Sequence, residues 1–183
     1  MANEGPLITE EIIQSVAAKL FADDNLNVYA ILDGAAIPNL LNGLYDLKSE
    51  YVCLYRGELE PDIAHVAPYL VKLDDESDFT EWLIEEGWGK NWGIFAQSEA
   101  DLRTMRRHFR SLLTVYDPEG KPMLFRYYDP RVLRLYLPTC NAEELHTVFG
   151  PVAAYWLEDK DPTSILRFKF ESDRLREKCW PMH

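Results

Sequence analysis

Residues 25–35 read NLNVYAILDGA, and the run VYAIL at its centre decides the fold. The apolar run Val28 to Leu32 is short and stops at Asp33-Gly34, so it reads as a buried strand that delivers Asp33 to its C-terminal end. A buried strand needs helices over its sheet, and helical patterns lie on both sides of it in the chain. Before it, Thr9 caps EEIIQSVAAKLF, whose apolar residues Ile12, Ile13, Val16, Ala17, Leu20 and Phe21 recur at helical spacing. After it, IPNLLNGLYDL reads as a helix with proline in its first turn, where no amide bond is lost.

The same alternation continues outward. Tyr51 to Leu54 is a short strand. ELEPDIAHVAPYLVKL is a turn followed by an extended segment, Tyr69 to Leu73, with Pro68 biasing Ala67 away from helix. DESDFTEWLIEEGW is an amphipathic helix with acids toward its N-terminus, ending near Gly87. Trp92 to Ala96 is a third strand, and Ser98 caps EADLRTMRRHFRSLL with Asp101 three residues on. TVYDPEGKPMLFRYY has strand, turn and strand form, with the reversal at DPEG. NAEELHTVFG is a short helix, VAAYWLED and SILRFKFE form a hairpin around DKDPT, and DRLREKCWPMH reads as a short helix. The expected fold is α/β: a central mixed β-sheet flanked by helices, with a short C-terminal hairpin and helix appendage. The expected division is a core of residues 1–157 followed by an appendage of residues 158–183.

Composition narrows the function. The chain has 183 residues, 47% of them hydrophobic, which is enough for a core. Its net charge of −12 repels phosphate backbones and anionic lipid, so neither nucleic acid nor membrane is an expected partner. Cys53, Cys140 and Cys179 are far apart and form no CxxC pair, as expected of reduced thiols in a cytoplasmic protein. The first twenty residues lack the basic region and apolar run of a signal peptide, and no apolar stretch reaches transmembrane length.

Catalytic patterns are scarce. His65, His108, His146 and the terminal His183 make no HExxH-type metal pattern, so no metal or other cofactor is expected. There is no GxSxG elbow. The glycines of GWGKNWG, Gly87, Gly89 and Gly93, precede a strand, whereas a dinucleotide loop joins strand to helix. Asp33 at a strand end suits catalysis in an α/β fold, but it suits a turn that binds local amides or an arginine better. A small hydrolase or transferase built on Asp33, His108 and Asp129 would need the three to converge in one cleft.

FRYYDPRVL, residues 125–133, concentrates the polar character of the chain. Asp129 before Pro130 makes a good helix N-cap. Arg131 and Arg134, three apart, share a helix face. Arg126 on the preceding strand needs a carboxylate if buried, with Asp33 and Asp129 the candidates. The arginines and tyrosines are also of the types that anchor interfaces. Trp88 and Trp92, flanking a glycine turn, are secondary anchors if either is partly exposed; for every tryptophan, core is the simpler expectation.

These stretches carry a resemblance. VYAILDGAAIPNL, LYRGE, VAPYLVKL, WLIEEGWGKNWGIF, MRRHFRSLLTV, GKPMLFRYYDPRVLRLYLP and FGPVAAYW occur in an order that resembles the effector adaptor or chaperone family of the type VI secretion system, Tap/Tec-type adaptors formerly known only as a domain of unknown function. The resemblance covers about residues 27 to 157. It implies a noncatalytic, cytoplasmic protein that binds a toxic effector and loads it onto VgrG, the valine-glycine repeat spike. It implies a shared N-terminal lobe and a variable C-terminal lobe that recognises cargo, the latter reduced here because 27 residues follow Trp156. The expected partner-binding residues are Arg126, Tyr127, Tyr128, Arg131 and Arg134, with Trp88 and Trp92 secondary; Asp33, Asp129 and Pro130 are expected to be structural. A toxin-binding immunity protein, needing no spike, is the remaining alternative to an enzyme.

Overall fold

A computed structural model describes residues 8–182, so expectations for the first seven residues and for His183 lie outside it. The order of elements is α1 (Glu10–Leu20), β1 (Asn27–Asp33), α2 (Leu40–Asp46), β2 (Glu50–Cys53), α3 (Pro61–Val66), β3 (Pro68–Leu73), α4 (Asp78–Gly87), β4 (Gly93–Ser98), α5 (Leu102–Leu112), β5 (Thr114–Tyr116), β6 (Pro122–Leu124), α6 (Pro130–Tyr136), a short 3-10 turn (Leu137–Thr139), α7 (Ala142–Phe149), β7 (Ala154–Glu158), β8 (Ser164–Glu171) and β9 (Arg174–Pro181). Seven strands form one sheet in the order β2-β3-β1-β4-β7-β8-β9, while β5 and β6 make a separate hairpin. The α/β class, the central sheet flanked by helices and the C-terminal hairpin are as the sequence predicts. Every described ladder is antiparallel.

Strand β1 explains the layering. Val28, Ala30 and Leu32 join a core that contains Val16 and Leu20 of α1, Leu44 of α2 and Leu83 of α4. Tyr29 and Ile31 join the other core, with Phe109 of α5, Leu133 of α6 and Phe149 of α7. Alternate residues of a strand face opposite sides, so an uninterrupted apolar run fits only where both sides are covered. The result is a sheet between two helical layers, and each layer is built by the spacing of its helices' apolar residues.

Local chemistry sets most element ends. The Ile12 amide donates to Thr9 Oγ1 at 3.3 Å, which caps α1 as expected. Helix α7 starts with a capping box between Asn141 and Glu144. The cap of α5 differs from expectation: Asp101, not Ser98, accepts from the Thr104 amide, at 2.8 Å. Ser98 instead closes β4, donating to the Pro151 carbonyl at 2.6 Å. Pro38 lies just before the α2 N-cap Asn39 and not in the first turn. The segment read as turn and extension contains the short helix α3, started by Pro61. The tail read as a helix is β9, because LREKCWP pairs residue by residue with β8. Its charged residues obscure any strand periodicity, and the partner strand supplies what local propensity does not.

The glycines of GWGKNWG have packing roles. A Cβ on Gly87 would lie 2.7 Å from the Trp92 ring, and one on Gly93 would lie 2.3 Å from the Ile31 carbonyl oxygen. Gly89 takes φ +82°, which favours glycine. Gly93→Ala should therefore force β4 away from β1, at a cost of about 2–3 kcal/mol, visible as a lower urea midpoint with unchanged slope.

Candidate functional site

FRYYDPRVL is a strand-to-helix corner. The Phe125 amide donates to the Leu113 carbonyl at 2.8 Å, and the Asp129 amide donates to the Arg126 carbonyl at 3.1 Å, which turns the chain into α6. Pro130 occupies the first turn of α6. Asp129 Oδ1 accepts the Arg131 amide at 2.9 Å, so Asp129 is the N-cap expected of it. The same carboxylate also receives Arg131 Nε at 3.0 Å and Nη2 at 2.8 Å, a forked pair on one side chain.

Arg126 reaches across to Asp33, and Nη2 donates to Asp33 Oδ2. Asp33 Oδ1 accepts the Ala35 amide at 3.0 Å. Asp33 therefore does both things expected of a structural acid: it makes a turn and it binds an arginine. The two ion pairs share one design. The aspartates are buried, with side chains 4% and 7% exposed, while Arg126 and Arg131 are 47% and 63% exposed. Each arginine covers a carboxylate and keeps its outer side in water. Burial pulls the Asp129 carboxyl up, but the hydrogen bonds and charge of Arg131 outweigh it and hold the group below its ordinary value. The hydrogen bond to Asp33 pushes the Arg126 guanidinium up.

Arg134 extends the row. Its Nη1 donates to the Glu158 backbone carbonyl at 2.9 Å. The Glu158 side chain turns the other way, accepting from the Gly89 amide at 2.6 Å and the Asn91 amide at 2.9 Å. Glu158 thus joins the end of β7 to the turn before β4, and Trp88 Nε1 fastens that turn again by donating to the Pro162 carbonyl at 2.7 Å. Burial pushes the Glu158 carboxyl up to about 7 against the pull of the two amides and of Arg134. Sequence reading missed Glu158. The available signal was the one that singled out Asp33: an acid closing an apolar strand run, here AYWLE.

The other expected contact residues lie deeper. Tyr127 is fully buried, donates its hydroxyl to the Phe109 carbonyl at 2.8 Å, and stacks on the Phe109 ring. Tyr128 is 2% exposed and Trp88 4%. The expectation that these three touch a partner is corrected by their burial: Tyr127 and Tyr128 pack beneath the corner, whereas Trp88 packs in the opposite core against Phe95 and holds the turn before β4. Their aromatic character satisfied both readings, and burial separates them. Trp92 is partly exposed, packed on Trp82 with ring centroids 5.4 Å apart and with Lys90 Nζ 5.4 Å from its ring.

Asp33, His108 and Asp129 do not assemble as a hydrolase would need. His108 Nε2 lies 3.0 Å from the Val148 carbonyl, and burial lowers its pKa. The two aspartates are engaged by Arg126 and Arg131 instead. Among the described residues, no group of three or more His, Cys, Asp or Glu is placed to hold a metal ion.

Two outcomes test this corner. Asp33→Asn keeps the shape but removes the charge under Arg126, and should cost about 1–2 kcal/mol in urea unfolding. Glu158 gives a pH signature. Its folded pKa lies above its unfolded value, so between about 4.5 and about 7 the folded state binds more protons. Stability from this group therefore falls as pH rises through that window and levels off above it. Between about pH 5 and about pH 8 the unaltered chain should lose on the order of 2–3 kcal/mol more than Glu158→Gln, measured by urea unfolding of both.

A family model described as a domain of unknown function (DUF4123) matches residues 28–147, from β1 into α7. The accessory protein VasW of Vibrio cholerae serotype O1 (strain ATCC 39315 / El Tor Inaba N16961) is 28% identical over 114 residues, which are 61% of this chain and 38% of VasW. The match thus spans well under two thirds of that relative's length. No solved structure matches the chain. The family model covers both ends of the Asp33–Arg126 bridge, the Asp129 cap and the whole of FRYYDPRVL, and the chain belongs to the DUF4123 family, the adaptor family whose motifs its sequence resembles.

Proposed function

We propose that this protein is a noncatalytic adaptor of type VI secretion, a cytoplasmic chaperone that binds a toxic effector and helps load it onto the VgrG spike. The family match across residues 28–147 carries this reading, and the likeness to an accessory protein supports it. The geometry supports the manner of binding. Arg126, Arg131 and Arg134 stand in a row over buried carboxylate or carbonyl acceptors, which hold their guanidinium groups in place before a partner arrives. Preorganised arginines lose little freedom on binding and suit hot spots of an interface. Trp92, partly exposed, is a secondary anchor of the same kind. In this reading the lobe that takes the spike and the effector segment lies within residues 1–157, with residues 158–183 as its C-terminal appendage.

Arg131→Ala combined with Arg134→Ala removes two of the three displayed guanidinium groups. One is an ion pair whose aspartate is buried, though Asp129 keeps its bond from the Arg131 backbone amide, and the other a single hydrogen bond to a carbonyl, so the fold should lose about 2–4 kcal/mol and still unfold cooperatively. Capture tests the function. Tagged chain incubated with cytosol from cells that express a type VI system should retain both a VgrG spike and a toxin-like protein, and the double variant should retain markedly less of them while unfolding cooperatively. Recovery of a toxin without a spike would favour an immunity protein. Recovery of neither would overturn the adaptor reading.

A further inference from the structure

Among the described residues the sheet ends at β9, which has no neighbouring strand on its outer side. One face of the β8–β9 hairpin is apolar, with Leu166 and Phe168 buried in the core beneath α5, α6 and α7. The opposite face is basic. Its cross-strand pairs are Ile165 with Trp180, Arg167 with Lys178, Lys169 with Arg176, and Glu171 with Arg174. Residues directly opposite one another share a face, and like charges in that position are destabilising. Two consecutive pairs here set cation against cation. Lys19 of α1 approaches the same face, so Lys19, Arg167, Lys169, Arg174, Arg176 and Lys178 gather six of the chain's 19 lysines and arginines in a protein of net charge −12.

Aromatic rings organise this cluster. Trp180 stacks on Trp156 with centroids 5.3 Å apart. Lys178 Nζ lies 4.6 Å from the Trp180 ring centre, the Arg167 guanidinium 4.9 Å and Lys19 Nζ 5.1 Å. Within the described residues, Lys169 has Glu171 at 3.6 Å, whereas no carboxylate comes within 4.0 Å of Lys19, Arg167, Arg174, Arg176 or Lys178. A groove of about 470 Å³ runs between α1 and this face, lined by Lys19, Trp156, Arg167, Lys169 and Trp180 and by one acid, Asp23, which comes within 4.0 Å of none of these cations.

We propose that this face docks an extended acidic segment of a partner protein along the free edge of β9. Charge complementarity chooses the occupant: the unpaired cations need anions that the described chain does not supply. Strand geometry chooses its form. In an extended segment every second side chain points the same way, which matches a ladder whose cations recur at every second residue of β9. Nucleic acid fits less well. The overall charge repels a long polyanion, and the tryptophans are already stacked on each other and covered by cations, which leaves little ring for a base. The docking face stands on its own geometry, whichever partners the arginine corner takes.

Arg176→Glu combined with Lys178→Glu tests the proposal, because it moves binding and stability in opposite directions. The substitutions turn both like-charge pairs into opposite-charge pairs with Lys169 and Arg167, so the unfolding midpoint should hold or rise. The probe is a fluorescent peptide of alternating glutamate and valine, about ten residues long, titrated with the full chain and followed by anisotropy. The unaltered chain should bind it, more weakly as salt rises, and the double variant should bind it roughly tenfold more weakly or worse. A peptide of alternating lysine and valine should not bind the double variant more weakly than the unaltered chain. Absence of glutamate-peptide binding, or equal binding by the double variant, would overturn the proposal. Tighter binding of a single-stranded DNA of equal charge would assign the face to nucleic acid instead. Self-association in sedimentation, abolished by the double variant and without peptide binding, would assign it to a second copy of the chain.

Discussion

The Asp33 carboxylate ends a strand that is buried on both faces, and a charge in that place must be met. Arg126 meets it from 93 residues away in the chain. That one pair ties β1, an interior strand of the sheet, to the corner that launches α6. Removing the charge would free the corner; keeping it obliges Arg126 to lie across the strand end. The next turn repeats the arrangement with Asp129 and Arg131, and Glu158 repeats half of it with two backbone amides in place of an arginine. Three buried acids therefore fix the loops and the helix start at one end of the sheet.

The depth of these acids decides what the arginines can do. A surface ion pair between flexible side chains contributes little and wanders. Here one member of each pair is held rigid by burial and by a backbone amide, so the arginine above it inherits a position. That is why a structural corner and the proposed partner-facing surface are not competing descriptions of FRYYDPRVL. The aspartates and Tyr127 supply the structure, and the outer sides of Arg126 and Arg131 supply the surface.

Much of this was legible in the sequence, for physical reasons that differ by element. VYAIL announced a covered strand because five consecutive apolar residues closed by Asp33-Gly34 are too short for a buried helix and too apolar for an exposed strand. Asp129-Pro130 announced a helix start because the cap and the fixed φ act locally. The Arg126–Asp33 bridge was foreseeable as a requirement, since a buried guanidinium needs a carboxylate, but the choice between Asp33 and Asp129 needed the tertiary fold. The depth of Tyr127 and Tyr128 was not legible, because tyrosine serves cores and interfaces alike, whereas for Trp88 core was already the simpler expectation. β9 was hidden for a related reason. In LREKCWP neither face is continuously apolar, and only the eight-pair register with β8 makes it a strand.

The same strand shows where stability and surface chemistry part. Two consecutive like-charge pairs weaken a hairpin, yet β8 and β9 stay together. Phe168 and Leu166 anchor the back of β8 in the core, and Trp180, held between Trp156 and three cations, spreads part of the positive charge over its ring. Those contacts offset the repulsion without removing it. A strand selected for pairing alone would set acids opposite Arg167 and Lys169, as Arg174 already stands opposite Glu171. The chain has acids in abundance, 31 of them, but sets Lys178 and Arg176 opposite those two positions. Cations kept opposite one another on an edge strand, in a protein of net charge −12, are what the proposed docking of an acidic segment accounts for.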